Sequence, residues 1–112
     1  MKEGDIILTP LPQADGQIKN RPALFLRVMP PFGDALVCGI SAQLHQQVSG
    51  FDEVISSQDQ DYTGSGLVSD SLIRLGFLAI IPQNKLIGSI GSISAERHRR
   101  LLERLSGYLL ER

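Results

Sequence analysis

Asn20-Arg21-Pro22-Ala23-Leu24-Phe25-Leu26-Arg27-Val28 is an apolar run of strand length bracketed by two arginines. Alternation places Pro22, Leu24, Leu26 and Val28 on one face and Arg21, Ala23, Phe25 and Arg27 on the other, so the run reads as a buried strand. Pro22 fixes its own φ and biases Arg21 toward extended geometry. A proline cannot donate to a ladder, which suits the first residue of a strand. Arg21 is therefore expected at the strand's mouth. An always-charged group with five donors, held there, is suited to gripping a phosphate. The same pattern also fits a surface arginine paired with a nearby acid, and spacing alone leaves both open.

Upstream, Gly4-Asp5-Ile6-Ile7-Leu8-Thr9-Pro10 reads as a first strand that proline ends. Residues 10–20 hold two prolines, Asp15-Gly16 and several amides, and read as a long polar loop running directly into Arg21. Downstream come a turn at 29–34, a strand over 35–40 ending in Ser41-Ala42-Gln43, and a short strand at 51–55. A second long loop follows at 56–66 and is expected to be the most mobile segment. Residues 67–81 are the most apolar region, with a kink expected around Ser69-Asp70-Ser71 and a stop at Pro82. After a further short strand at 86–90, Ser94 is a good N-cap, with Glu96 in the first turn. His98, Leu101, Leu102, Leu105, Tyr108 and Leu109 then share one helical face, with the arginines expected on a solvated outer face. His98 is expected to be a packed edge residue. The layout predicts a mainly β fold with α: a small antiparallel barrel or twisted sheet carrying a C-terminal helix.

At 112 residues the chain is expected to form one domain over 1–112. A hydrophobic fraction of 42% and a charged fraction of 21% are ordinary for a globular protein. No apolar run is long enough to span a membrane. Asp5 stands where a signal peptide would begin its apolar region, so a cytoplasmic location is expected. Cys38, the lone cysteine, is expected to be a buried free thiol. The net charge of −1 hides an uneven distribution. Asp34, Asp52, Glu53, Asp59, Asp61 and Asp70 occur between 34 and 73 without a lysine or arginine, whereas the tail is rich in arginine. A general nucleic-acid binder is basic overall, so any contact with nucleic acid is expected to be local.

One cysteine and two distant histidines do not make a zinc set, and the acids lack calcium-loop spacing, so no metal and no cofactor is expected. Gly88-Ser89-Ile90-Gly91 is a weak anion-binding hint and reads better as a tight turn. What remains is a sparse polar set at strand ends: Arg21, Ser41 and Asp70, with Arg74 or His45. Such a set lacks a strong nucleophile and suits a substrate that brings its own, as RNA does through the 2′-OH beside each phosphodiester. The protein then need only manage protons and stabilise the charged phosphorane.

Taken in order, Gly4-Asp5-Ile6-Ile7, Arg21-Pro22-Ala23-Leu24, Ser41-Ala42-Gln43, 67–73 (Leu-Val-Ser-Asp-Ser-Leu-Ile) and Ile90-Gly91-Ser92-Ile93-Ser94 resemble the successive blocks of the MazF/PemK (Kid) toxin family. The resemblance implies an SH3-like barrel of CcdB/PemK type with a C-terminal helix, acting as a homodimer. It implies a metal-independent endoribonuclease that cuts single-stranded RNA to a 2′,3′-cyclic phosphate and is inhibited by a protein antitoxin. By the same resemblance Arg21, Ser41 and Asp70 are the catalytic residues, Arg21 stabilising charge and Asp70 a candidate base. Gln43, Arg74, Lys19 and Asn20 are expected to touch the substrate. The PemK branch carries an arginine two positions before the acid where this chain has Val68, which favours the branch relying on Arg21 and Ser41. The alternative is a catalytically silent RNA- or protein-binding module of the same fold. A gyrase-poisoning, CcdB-like activity ranks last, since this chain has no tryptophan.

Overall fold

A computed structural model of the chain describes residues 1–111. Its strands are β1 (Asp5–Pro12), β2 (Ile18–Met29), β3 (Asp34–Ser41), β4 (Glu53–Ile55), β5 (Ser71–Ile81) and β6 (Gly88–Ser92). Two helices, α1 (Tyr62–Ser65) and α2 (Ala95–Leu110), and 3-10 turns at Leu44–Gln46 and Gln83–Lys85 complete it. The strands form one antiparallel sheet in the order β4-β5-β3-β2-β1-β6. The sheet curls into a half-barrel, and α1, which follows edge strand β4, packs on the opposite edge strand β6. Glycines permit that approach. A Cβ on Gly66, which has φ +74, would collide with the Ile90 carbonyl, and one on Gly91 with the carbonyls of Gly64 and Ser65.

Apolar side chains fill both faces of the central strands. Leu24, Leu26, Cys38, Ile73 and Leu75 pack with Leu101 and Leu105 of α2, while Ala23, Phe25, Val37, Ile7 and Leu86 form a second cluster. The alternation read along β2 is therefore realised at its centre. Beyond Phe25 a bulge shifts the β2–β3 register, leaving Val28 exposed. His98 meets the carbonyl oxygen of Leu26 at this bulge, Nε2 to O 2.8 Å. A carbonyl only accepts, so Nε2 carries the proton, and His98 is the packed residue expected.

The long loop expected at 10–20 is instead the end of a hairpin. β1 runs to Pro12 and β2 begins at Ile18, with Thr9 opposite Arg21, Leu11 opposite Lys19 and Pro12 opposite Ile18. Proline does not end this strand, because of register parity. Leu8 faces Pro22 and Pro10 faces Asn20, while the Leu8 carbonyl accepts from Ile87 N on its other side. All three prolines thus occupy pairs whose N–H groups would point away from the partner strand, so no β1–β2 ladder bond is lost. Arg21 accordingly sits inside a strand rather than at its first residue.

Four further expectations are corrected. The kink falls not at 69–71 but inside β5: Gly39 pairs with Arg74 and Cys38 with Leu78, so Leu75, Gly76 and Phe77 have no counterparts on β3. The 56–66 segment is tied down through its acids. Arg97 is buried rather than solvated, because it lies one turn before Leu101 on the packed face of α2. Its guanidinium binds Glu53 (2.8 Å), Asp59 (3.0 Å) and Asp61 (2.8 Å). Arg100 and Arg104 add contacts to Glu53 of 2.7 and 3.1 Å. Asp61 also accepts from the Ser94 amide, and Ser94 caps α2 by accepting from Arg97 N at 3.1 Å. The Arg97 hydrogen bond holds the Asp61 carboxyl below the usual carboxylate range. Burial opposes ionisation of Glu53, but its arginines, Arg100 foremost, outweigh that and lower its pKa as well. Tyr108 and Leu109, expected on the packed face, stay largely exposed, although the Tyr108 ring still meets Phe51 at 4.9 Å between centroids.

Candidate nucleic-acid interface

The proline of the Arg21-Pro22 pair opens the site. Continuing the β2–β3 register past its last pair, Ala23 with Gly39, brings Pro22 opposite Ile40 and Arg21 opposite Ser41. The next ladder bond would need an N–H from Pro22, which has none, so the two strands part there. A cavity of about 590 Å³ occupies the gap, lined by Arg21, Ser41, Gln43, Gln46, Arg74 and Phe77 among others, with Pro12, Gln13 and Ala14 from the hairpin loop at its rim. Arg74 enters from the far side because it pairs with Gly39 on β3.

Phe77 completes the wall through the three-residue bulge, which returns it to the face that Arg74 occupies. Its ring lies over Gly39, where an added Cβ would stand 3.3 Å from ring carbons. The Arg74 guanidinium lies over the same ring, 5.6 Å from its centroid, a cation–π contact that orients the charge without neutralising it. The Ser41 hydroxyl accepts from the Gln43 amide at 3.0 Å, which shapes the strand end and leaves its O–H proton available to an incoming acceptor.

Charge pairing elsewhere makes these two arginines stand out. Arg27, Arg97, Arg99, Arg100 and Arg104 all meet carboxylates. Among the described residues, Arg21 and Arg74 are the arginines without a carboxylate partner, and both line this cavity. The acids of the middle of the chain do not oppose them, since Glu53, Asp59 and Asp61 are engaged at α2.

The structure thus brings Arg21, Ser41, Gln43 and Arg74 together and leaves other expected residues outside the lining. Asp70 is exposed before β5 and its Oδ1 accepts from the Ser57 amide at 3.0 Å. Lys19 and Asn20 are exposed on the hairpin arm opposite Leu11 and Pro10. His45 is exposed in the 3-10 turn. Phe77 and Gln46 escaped the sequence reading. Phe77 lies in an apolar run where a wall residue looks like core, and Gln46 lies in a polar stretch without periodicity. Among the described residues no group of His, Cys, Asp and Glu is placed to hold a metal ion, and no helix is long and apolar enough to cross a membrane.

A curled six-strand antiparallel half-barrel with one C-terminal helix places the chain in the class of mainly β proteins with the MazF/PemK-type fold. The chain belongs to the family described as PemK-like, MazF-like toxin of type II toxin–antitoxin system, whose model matches residues 2–109. Among solved structures it is similar to the Mycobacterium tuberculosis toxin MazF-mt6, with a TM-score of 0.69 and 21% identity over 96% of this chain and 99% of that one. At that identity the likeness is one of fold. No curated protein matches.

Proposed function

We propose that the chain is an endoribonuclease toxin that cuts single-stranded RNA without a metal ion and is restrained by a protein antitoxin. The observation that carries this reading is the pair of arginines without carboxylate partners that line one cavity beside the Ser41 hydroxyl. Arg21 and Arg74 hold the non-bridging oxygens of one phosphodiester, and Ser41 donates a hydrogen bond to the same group. As the 2′-OH attacks, negative charge grows on the phosphorane, and fixed guanidinium groups stabilise it without reorganising. Gln43 and Gln46 offer amides to the exposed edges of unpaired bases, and Phe77 a ring face for stacking. Lys19 extends the positive reach along the arm, and Asn20 adds an amide beside it. Asp70, proposed from the resemblance as base, is the least supported member, since its carboxylate is already engaged by Ser57.

The experiment is digestion of single-stranded RNA in chelator with product-end analysis. A 2′,3′-cyclic phosphate is expected, and Arg21→Ala is expected to lose at least about a hundredfold in rate, the scale of one oxyanion-stabilising donor. An Arg21→Ala variant that cuts as fast as the parent refutes the assignment. One observation favours the silent-module alternative: no carboxylate or imidazole is among the lining residues. In that reading the parent binds RNA, loses binding in Arg21→Ala, and leaves the strand intact. Homodimerisation is part of the proposal, motivated by exposed Leu78, Ile80, Leu109 and Leu110. A sedimentation mass of one chain at micromolar concentration refutes it.

A further inference from the structure

Asp52 is buried at 5% exposure, immediately before β4, yet it pairs with no cation among the described residues. Both its carboxylate oxygens accept from backbone instead. Oδ1 takes the Leu75 amide at 3.0 Å and Oδ2 the Val48 amide at 2.9 Å. Leu75 is the first residue of the β5 bulge, directly follows Arg74 and has no counterpart on β3, and its amide is held by Asp52 from the β4 side. The Val48 amide lies just beyond the turn that carries Gln43 and Gln46. One side chain therefore fastens the strand that presents Arg74 and Phe77 to the turn that presents Gln46, the two walls of the cavity on that side.

We infer that Asp52 is a positioning residue of the RNA groove, fixing Arg74 through the bulge amide without touching the substrate. The inference rests on the reading of this cavity as an RNA site. A carboxylate is the side chain required, since the position must accept twice from donors on different segments and donate to neither. An asparagine there keeps one acceptor and turns an NH2 toward the other amide.

The test combines nuclear magnetic resonance with binding of a fluorescent single-stranded RNA oligonucleotide, comparing Asp52→Asn, Arg74→Ala, the double variant and Leu101→Ala. Leu101→Ala lowers stability through the core without being among the cavity's lining residues and so controls for loss of stability alone. Asp52→Asn is expected to speed hydrogen exchange at Leu75 or Val48 about tenfold beyond amides elsewhere in β5, the factor of one lost bond to a charged acceptor. It is expected to move the Arg74 Nε–H and Phe77 ring signals, and Leu101→Ala is not. RNA affinity is expected to fall about tenfold in Asp52→Asn and to fall no further when Arg74 is already alanine. Equal loss in both backgrounds, or unmoved Arg74 and Phe77 signals, overturns the inference. Parent protein that binds no RNA refutes the proposed function instead, and the resonance comparison then decides the role of Asp52 by itself.

Discussion

Replacing Arg97 with methionine keeps an apolar stem of similar reach to the arginine's methylenes and removes the guanidinium charge. Three acids lose a partner, but not equally. Glu53 keeps Arg100 and Arg104 at 2.7 and 3.1 Å. The Asp59 side chain is 35% exposed and recovers hydration. Asp61, at 11%, is left with the Ser94 amide and little water. Breaking a buried pair costs about 3–5 kcal/mol. With one acid rather than three stranded, the low end applies, about 3 kcal/mol. Against a urea slope of about 1.5 kcal/mol per molar, the unfolding midpoint falls by about 2 M. Asp61→Asn in the same chain keeps an acceptor for Ser94 and removes the stranded charge, so the double variant is expected to be more stable than the two single losses sum to, by about 1 kcal/mol or more. Acid gives the matching signature. The Asp61 pKa is lowered in the folded chain, so its contribution is complete above the unfolded carboxylate pKa and disappears as pH falls through the folded value. The parent's advantage over Arg97→Met therefore shrinks below about pH 4. A measured loss under about 1 kcal/mol at pH 7, the value of an exposed pair, refutes the view that this cluster is a buried clamp.

The Thr9 hydroxyl is fully buried without a hydrogen-bond partner among the described residues, so Thr9→Val is expected to stabilise the chain by about 1 kcal/mol, read as a rise in melting temperature. A fall counts against the orphaned hydroxyl. Burial, reinforced by the charge of Asp52, pushes the Cys38 thiol up to about 12, so thiol reagents are expected to modify Cys38 only on unfolding, with a rate that tracks denaturant. Fast labelling at pH 8 in native buffer contradicts that burial.

The sheet-plus-helix architecture was legible because it rests on short-range signals: alternation along 20–28, the Ser94 cap and the spacing of Leu101 and Leu105. Three polar members of the cavity, Arg21, Ser41 and Arg74, were legible as charged or hydroxyl groups at strand ends. What escaped depends on pairing. Proline reads as a stop until the partner strand is known, so the hairpin reads as a loop. Arg97 has the composition of a surface residue, and only the acids arriving from 53–61 make its burial tolerable. The three-residue bulge leaves no trace in residues 72–81, because Leu75 and Phe77 are as apolar as their neighbours.

The in-phase prolines of the β1–β2 arm have a consequence for how faithfully the chain assembles. Slipping the hairpin by one residue would put either Pro10 and Pro12 or Pro22 at positions that demand a donor, and where β2 is the strand that turns it would rotate Arg21 out of the gap. The outer rims of the arm, stripped of N–H groups at those same residues, are also poor templates for a foreign strand. Misregistered and aggregated forms are thus penalised by the same three rings, and the arm can stand uncovered beside the cavity.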